Sequence, residues 1–195
     1  MKKIFSFFGV ALILFLAVGC QSGKNAEKDW NSIYIQEIWD NYNRTVVEVS
    51  KKEGLDDPNL LTLSNTVDKS DGDKYEKLCS FHGLKYPQLK ITIFSTRTID
   101  ISLSFKEGDI TTPYNIKLAK IVLDSVVETV TPGKSLEVKR GLQLIDDTGN
   151  FYLPLYKNSG EIEAIYTQIG NYSYEYDSDK DNKGFFFYAM PHETK

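Results

Sequence analysis

Cysteine and histidine are the side chains best suited to nucleophilic and metal chemistry, and this 195-residue chain has two of each. Cys79 and His82 are three residues apart, a spacing that puts a thiol and an imidazole on one face of a short helix. Such a pair becomes nucleophilic where the thiolate is stabilised. The neighbours Leu78 and Phe81 point instead to a buried cysteine acting as a small apolar residue. His192 lies close to the C-terminus, where fraying is expected. No catalytic residue is assigned on this basis.

Carboxylates offer a second kind of chemistry. The run Asp177-Ser178-Asp179-Lys180-Asp181-Asn182-Lys183-Gly184 sets Asp177, Asp179 and Asp181 at alternate positions, as oxygen ligands of a calcium loop are set. The EF-hand pattern also needs Gly at the sixth position and Glu at the twelfth, where this chain has Asn182 and Tyr188. A solvated hairpin loop is the expectation, with no metal and no cofactor. Asp56-Asp57 and Asp146-Asp147 are adjacent pairs in turn contexts, and neighbouring carboxylates seldom aim at one bond. No metalloprotease, nucleophile-elbow, phosphate-loop or dinucleotide motif occurs, and enzymatic function is not expected.

Aromatic residues carry the remaining signal. Tyr172, Tyr174 and Tyr176 alternate and share one face of a strand, with Phe186 and Tyr188 expected across from them and Phe185 and Phe187 on the other face. Tyrosine gives large contact area at low entropy cost, so Tyr172, Tyr174, Tyr176 and Tyr188 form the candidate binding surface. The competing expectation is a face half-buried under a helix, its hydroxyls at the rim.

The elements that must position these residues read as follows. Asp29 to Lys52 is helical in pattern, with Trp30, Ile33, Ile38, Tyr42, Val46 and Val49 on one face and Gly54 as the stop. Residues 55–73 read as a loop with some packing, and Lys74 to Phe81 as a short helix. Leu89, Ile91 and Ile93 alternate with polar residues, as do Ile99, Ile101, Leu103 and Phe105. All seven are odd-numbered, so a hairpin between them needs an odd-length loop, centred near Thr96. Thr112 and Pro113 open a second helix, whose face is Leu118, Ala119, Val122, Val126 and Val130, and Thr131-Pro132-Gly133 ends it. Strands are expected over 136–145, 151–156, 161–169, 172–176 and 184–190. The order predicts one α+β domain, an antiparallel sheet with two main helices packed on one face.

The N-terminus differs in kind. Lys2 and Lys3 precede an apolar run from Ile4 through Val18, too short for the ~20 residues of a permanent membrane span and suited to a secretory signal. It ends in Leu16-Ala17-Val18-Gly19-Cys20, followed by polar Gln21-Ser22-Gly23-Lys24-Asn25. This resembles the lipobox of bacterial membrane lipoproteins, with Ala17 where the family usually has Leu. The resemblance covers residues 1–20 and implies cleavage before Cys20, lipidation of its thiol and retention on the outer side of the plasma membrane, or in the outer membrane of a two-membrane host. Residues 1–19 would then be the signal peptide, 20–28 a lipidated cysteine and flexible tether, and 29–195 the domain.

Cleavage removes two of the 23 basic residues and none of the 27 acidic ones, taking the net charge from −4 to −6. That balance argues against a nucleic-acid partner and against electrostatic adhesion to anionic lipid. The expected function is that of a lipid-anchored binding protein of the cell envelope, its partner an envelope protein or peptide bound through the tyrosine-rich sheet face; a net charge of −6 would suit a cationic peptide. The alternatives are an envelope hydrolase with an unplaced carboxylate site, or a structural subunit of an envelope assembly.

Overall fold

The odd-numbered isoleucines pair across a hairpin. In a computed structural model, which describes residues 22–71, 74–81, 88–94, 98–105, 111–154, 164–178 and 184–192, Ile93 faces Ile99, Ile91 faces Ile101 and Leu89 faces Leu103. The register is centred on position 96, so odd residues meet odd residues and one set of apolar positions stays on one face.

These strands are β3 (Gln88–Phe94) and β4 (Ile99–Ser104) of a seven-stranded antiparallel sheet with order β1-β2-β3-β4-β7-β6-β5. The others are β1 (Leu63–Asp71), β2 (Lys74–Phe81), β5 (Ile165–Ile169), β6 (Tyr172–Ser178) and β7 (Gly184–Pro191). Three helices, α1 (Ser22–Lys52), α2 (Pro113–Val130) and α3 (Ser135–Gly141), complete the α+β architecture, with helices packed against the sheet. The chain divides into two compact units, Met1–Glu37 and Ile38–Lys195.

α1 starts earlier than the pattern predicts. Its helix already includes Ser22 to Lys28, expected to belong to a flexible tether, and Asp29 lies inside the helix rather than at its start. Ala26, Glu27 and Lys28 are good helix formers, which favours extension. Tyr42, Val46 and Ser50, four residues apart, form the buried stripe. The helix ends in a Schellman motif: Leu55 N–H donates to Ser50 O, Gly54 N–H donates to Lys51 O, and Gly54 takes φ +65°. Asn43 then fixes the entry to β1, accepting from Leu63 N–H (2.8 Å) and donating to Leu63 O (3.2 Å).

Three elements differ from the sequence expectation. Leu63–Asp71, within the stretch 55–73 read as a loop, is β1, paired along its length with β2. Lys74–Phe81, read as a helix, is β2, hydrogen-bonded to β1 on one side and β3 on the other. Its apolar residues fit either period, and the partners on both sides decide for the strand. Ser135–Gly141, read as the start of a strand, is α3, with Glu137 in its first turn and Lys139 and Arg140 in its last. Those charges complement the helix dipole. Segment 151–154 contributes only an isolated bridge, Ile145 to Phe151.

α2 follows its signals closely. Thr112 Oγ1 accepts from Asn115 N–H, Pro113 opens the first turn, and Thr131 N–H donates to Val127 O at the end. Residues Ile121 through Val127 are all buried, so two turns of this helix lie in the core. The sheet contributes Ile99, Ile101, Leu103, Phe185, Phe187 and Ala189 to that core. α3 packs on β5 through Gly141, where a Cβ would lie 2.0 Å from Thr167 Oγ1.

Candidate functional site

The tyrosines of β6 face inward. Tyr174 is 0% exposed and Tyr176 2%, while Tyr172 is half-buried. This corrects the expected binding surface, since Tyr174 and Tyr176 are core residues. Ser178 pairs with Phe185, Tyr176 with Phe187 and Tyr174 with Ala189. Six residues separate Ser178 from Phe185, an even number, so even positions of β6 meet odd positions of β7. Phe185 and Phe187 therefore share the tyrosine face, and Tyr188 is on the opposite one.

Small Ala189 and Ser178 opposite the rings allow diagonal packing. Tyr174 meets Phe187 at 5.8 Å between centroids, and Tyr176 meets Phe185 at 5.7 Å. The hydroxyls are satisfied from the helical side: Tyr174 bonds Thr131 Oγ1, and Tyr176 donates to Pro154 O (3.3 Å). Burial pushes the Tyr174 pKa up to about 12, the Thr131 hydrogen bond opposing it, and burial raises that of Tyr176 as well.

The outward face carries a different set. Asp100 pairs with Tyr188, Tyr188 with Glu175, and Glu175 with Tyr166, a row across β4, β7, β6 and β5. Tyr166 is 63% exposed and donates to Glu175 Oε1 (3.2 Å). Asp177, two residues from Glu175, lies on the same face. Partial burial, then the charges of Asp100, Glu175 and Asp177, raise the Tyr188 pKa. The Glu175 charge does most to raise that of Tyr166. The outward positions of these four strands include no lysine or arginine, and His192, just beyond β7, is hydrogen-bonded to outward Ser173. Alternation of carboxylate and tyrosine along one row suits a cation, by charge and by ring face.

Two further groupings involve titratable side chains. Ser173 Oγ and His192 Nε2 are hydrogen-bonded at 2.8 Å on the surface, where His192 N–H also donates to Asn171 O. A serine–imidazole pair is nucleophilic when a third group orients the ring and donors await the oxyanion, and among the described residues no third side chain is hydrogen-bonded to this pair. Asp124, buried on α2, meets Lys139 of α3 at 2.6 Å and Lys120 at 3.8 Å, and Lys120 also pairs with Glu53 beyond α1. Burial raises the Asp124 pKa against the opposing pull of both lysines. This network joins three helical segments, a structural role.

Cys79 lies on β2 opposite Thr66, so the helical spacing with His82 does not apply. Cys20, His82, Asp179 and Asp181 fall outside the described residues. Asp177, the first residue of the acidic run, is on β6. Among the described residues no cluster of three or more potential ligands is placed to hold a metal ion. Asp57 and Asp146 are turn residues: Asp57 Oδ1 accepts from Asn59 N–H, and Asp146 Oδ1 accepts from the N–H groups of Thr148 and Asn150. Of the outward row only Tyr188 is among the residues the sequence singles out; Asp100, Glu175 and Tyr166 are not, because the row draws on four strands.

Among the described residues no helix is long and apolar enough to cross a membrane. No family model, curated protein or solved structure matches the chain.

Proposed function

We propose that this chain is a lipid-anchored, extracytoplasmic interaction protein of the bacterial cell envelope, holding a domain near the membrane surface to bind a basic protein or peptide segment. The observation that carries the anchoring is the segment Leu16-Ala17-Val18-Gly19-Cys20 after a short apolar run, with polar residues following. Two acyl chains give stable anchoring, at about 0.8 kcal/mol per buried CH₂. The outward carboxylate–tyrosine row supports a basic partner, in place of the buried tyrosines of β6. Anchoring raises effective concentration near other envelope components, so modest affinity is sufficient.

Metabolic labelling with an alkyne fatty acid, followed by membrane fractionation, tests the anchor. Label on the wild-type chain and none on Cys20→Ala is the expected result. A chain without label, released into the medium, would overturn the reading.

A surface hydrolase is the second reading, favoured by the Ser173–His192 hydrogen bond. Turnover of ester or peptide substrates that disappears in Ser173→Ala would establish it.

A further inference from the structure

The two edges of the sheet differ in chemistry. β1 ends one side with Asp68, Lys69 and Asp71, and charged side chains are a common guard against pairing by another chain. β5 ends the other side as Ile165-Tyr166-Thr167-Gln168-Ile169, which holds neither charge nor proline. Its inward positions are Ile165, Thr167 and Ile169, half-buried, while Tyr166 and Gln168 are exposed on the outward face. Among the described residues no strand lies beyond β5.

An added strand would extend this alternation. Its inward side chains would continue the row of Ile165 and Ile169, which favours aliphatic residues. Its outward side chains would stand beside Tyr166, about 5 Å away between Cβ atoms of directly opposed residues. Glu175 lies one strand further in, about 10 Å from the incoming backbone at the usual strand spacing. A lysine or arginine at an outward position would cover the Tyr166 ring and direct its charge toward Glu175, with Asp177 behind it. A second copy of this acidic chain would bring like-charged faces together, so charge favours a basic partner over self-pairing.

We propose that the edge of β5 accepts, as an added strand, an extended peptide segment in which basic residues alternate with aliphatic ones. The proposal rests on the reading of the chain as an envelope interaction protein and names the site that such a protein would use. Backbone hydrogen bonds to β5 would supply sequence-tolerant affinity, and the Tyr166–Glu175 pair would select the basic residues.

The test uses the full chain in detergent micelles and a fluorescein-labelled decapeptide of alternating lysine and valine. Saturable binding by anisotropy is expected, weakened roughly tenfold in Tyr166→Ala and at least as much in Glu175→Lys. Amide exchange at Ile165–Ile169 should slow on peptide addition, and a peptide N-methylated at every residue should not bind. Undiminished binding in both variants, or equal binding of the N-methylated peptide, would overturn the edge site while leaving envelope anchoring intact. So would failure of the lysine–valine peptide to bind a chain whose β5 amides are already protected. Dimerisation of the chain that protects the same amides would assign the edge to a second copy and overturn the proposal. Loss of fatty-acid labelling with peptide binding retained would remove the anchor and leave the site.

Discussion

The hydroxyl of Tyr174, in the middle of β6, is hydrogen-bonded to the hydroxyl of Thr131, the residue that caps the end of α2. The bond joins the sheet to the helix through two side chains whose remaining atoms lie in or beside the core. It also makes burial of a phenol tolerable, since an unpaired hydroxyl there would lose its hydration without compensation.

Tyr174→Phe should therefore cost about 1 kcal/mol in urea unfolding at neutral pH, the ring being retained and one hydrogen bond lost. The pH dependence is a sharper check. Burial raises the folded-state pKa of Tyr174 from 10.0 to about 12, so its contribution is fully present below pH 10 and is lost as pH rises toward 12. Wild-type stability should fall across that window more steeply than that of Tyr174→Phe. Parallel pH profiles for the two proteins would show that the phenol is not held neutral by the fold.

The second residue after α3 gives a prediction of opposite sign. Gln143 has φ +54°, Leu144 N–H donates to Lys139 O, and Gln143 N–H donates to Arg140 O. This is the Schellman arrangement that ends α1, with glutamine where α1 uses Gly54. The left-handed conformation costs a non-glycine residue about 1 kcal/mol. Gln143 is exposed and its side chain has little packing to lose, so Gln143→Gly should raise stability by about 0.5–1 kcal/mol. Thermal unfolding of the variant at an unchanged or lower midpoint would contradict this.

These backbone details also show what the sequence made legible. Thr112 and Pro113 announce the start of α2 because cap chemistry is local, and its buried face follows from a 3.6-residue period. The β3–β4 register was readable because seven apolar residues share one parity. By contrast, β1 and β2 carry mixed polar sequences, stabilised by neighbours on the sheet more than by alternation. Asp71-Gly72 at their junction is a hairpin signal that apolar periodicity does not register. The β6–β7 face assignment failed for a similar reason. One residue more or less in the link exchanges Tyr188 with Phe187, and strand ends are not fixed by composition. Of the candidate surface only Tyr188 was legible, because the row draws one residue from each of four strands.

The contact between α3 and β5 is tight enough to predict a large effect from one carbon. A Cβ on Gly141 would lie 2.0 Å from Thr167 Oγ1 and 2.5 Å from Thr167 Cβ, so rotating the threonine does not relieve the overlap. Gly141→Ala should cost about 2–3 kcal/mol, typical of overpacking. Combining it with Thr167→Gly removes all three overlapping atoms, Oγ1, Cβ and Cγ2. The double variant should then be less destabilised than the sum of the two single changes, and a strictly additive result would place the cost elsewhere.

Acid stability should depend on the corner between α2 and α3. Glu128 Oε2 accepts from Gly133 N–H (2.7 Å), and Glu128 Oε1 accepts from Ser135 Oγ (2.7 Å). Partial burial works against the charge of Glu128, but these hydrogen bonds, one from the Ser135 backbone and the Lys52 charge outweigh it and hold its pKa below the ordinary 4.5. A carboxylate whose folded pKa is depressed stabilises the fold above its unfolded pKa and stops doing so as pH falls through the folded value. Asp124 acts in the reverse sense, because burial raises its pKa and its ionised form disfavours the fold. Acidification should therefore remove the Glu128 contribution while relieving the cost at Asp124. Glu128→Gln should be less stable than wild type at pH 7, and the difference should shrink as pH drops below about 4.5. Chemical unfolding at several pH values measures that difference. A gap that stays constant down to pH 2.5 would mean that the carboxylate charge is not what holds the corner.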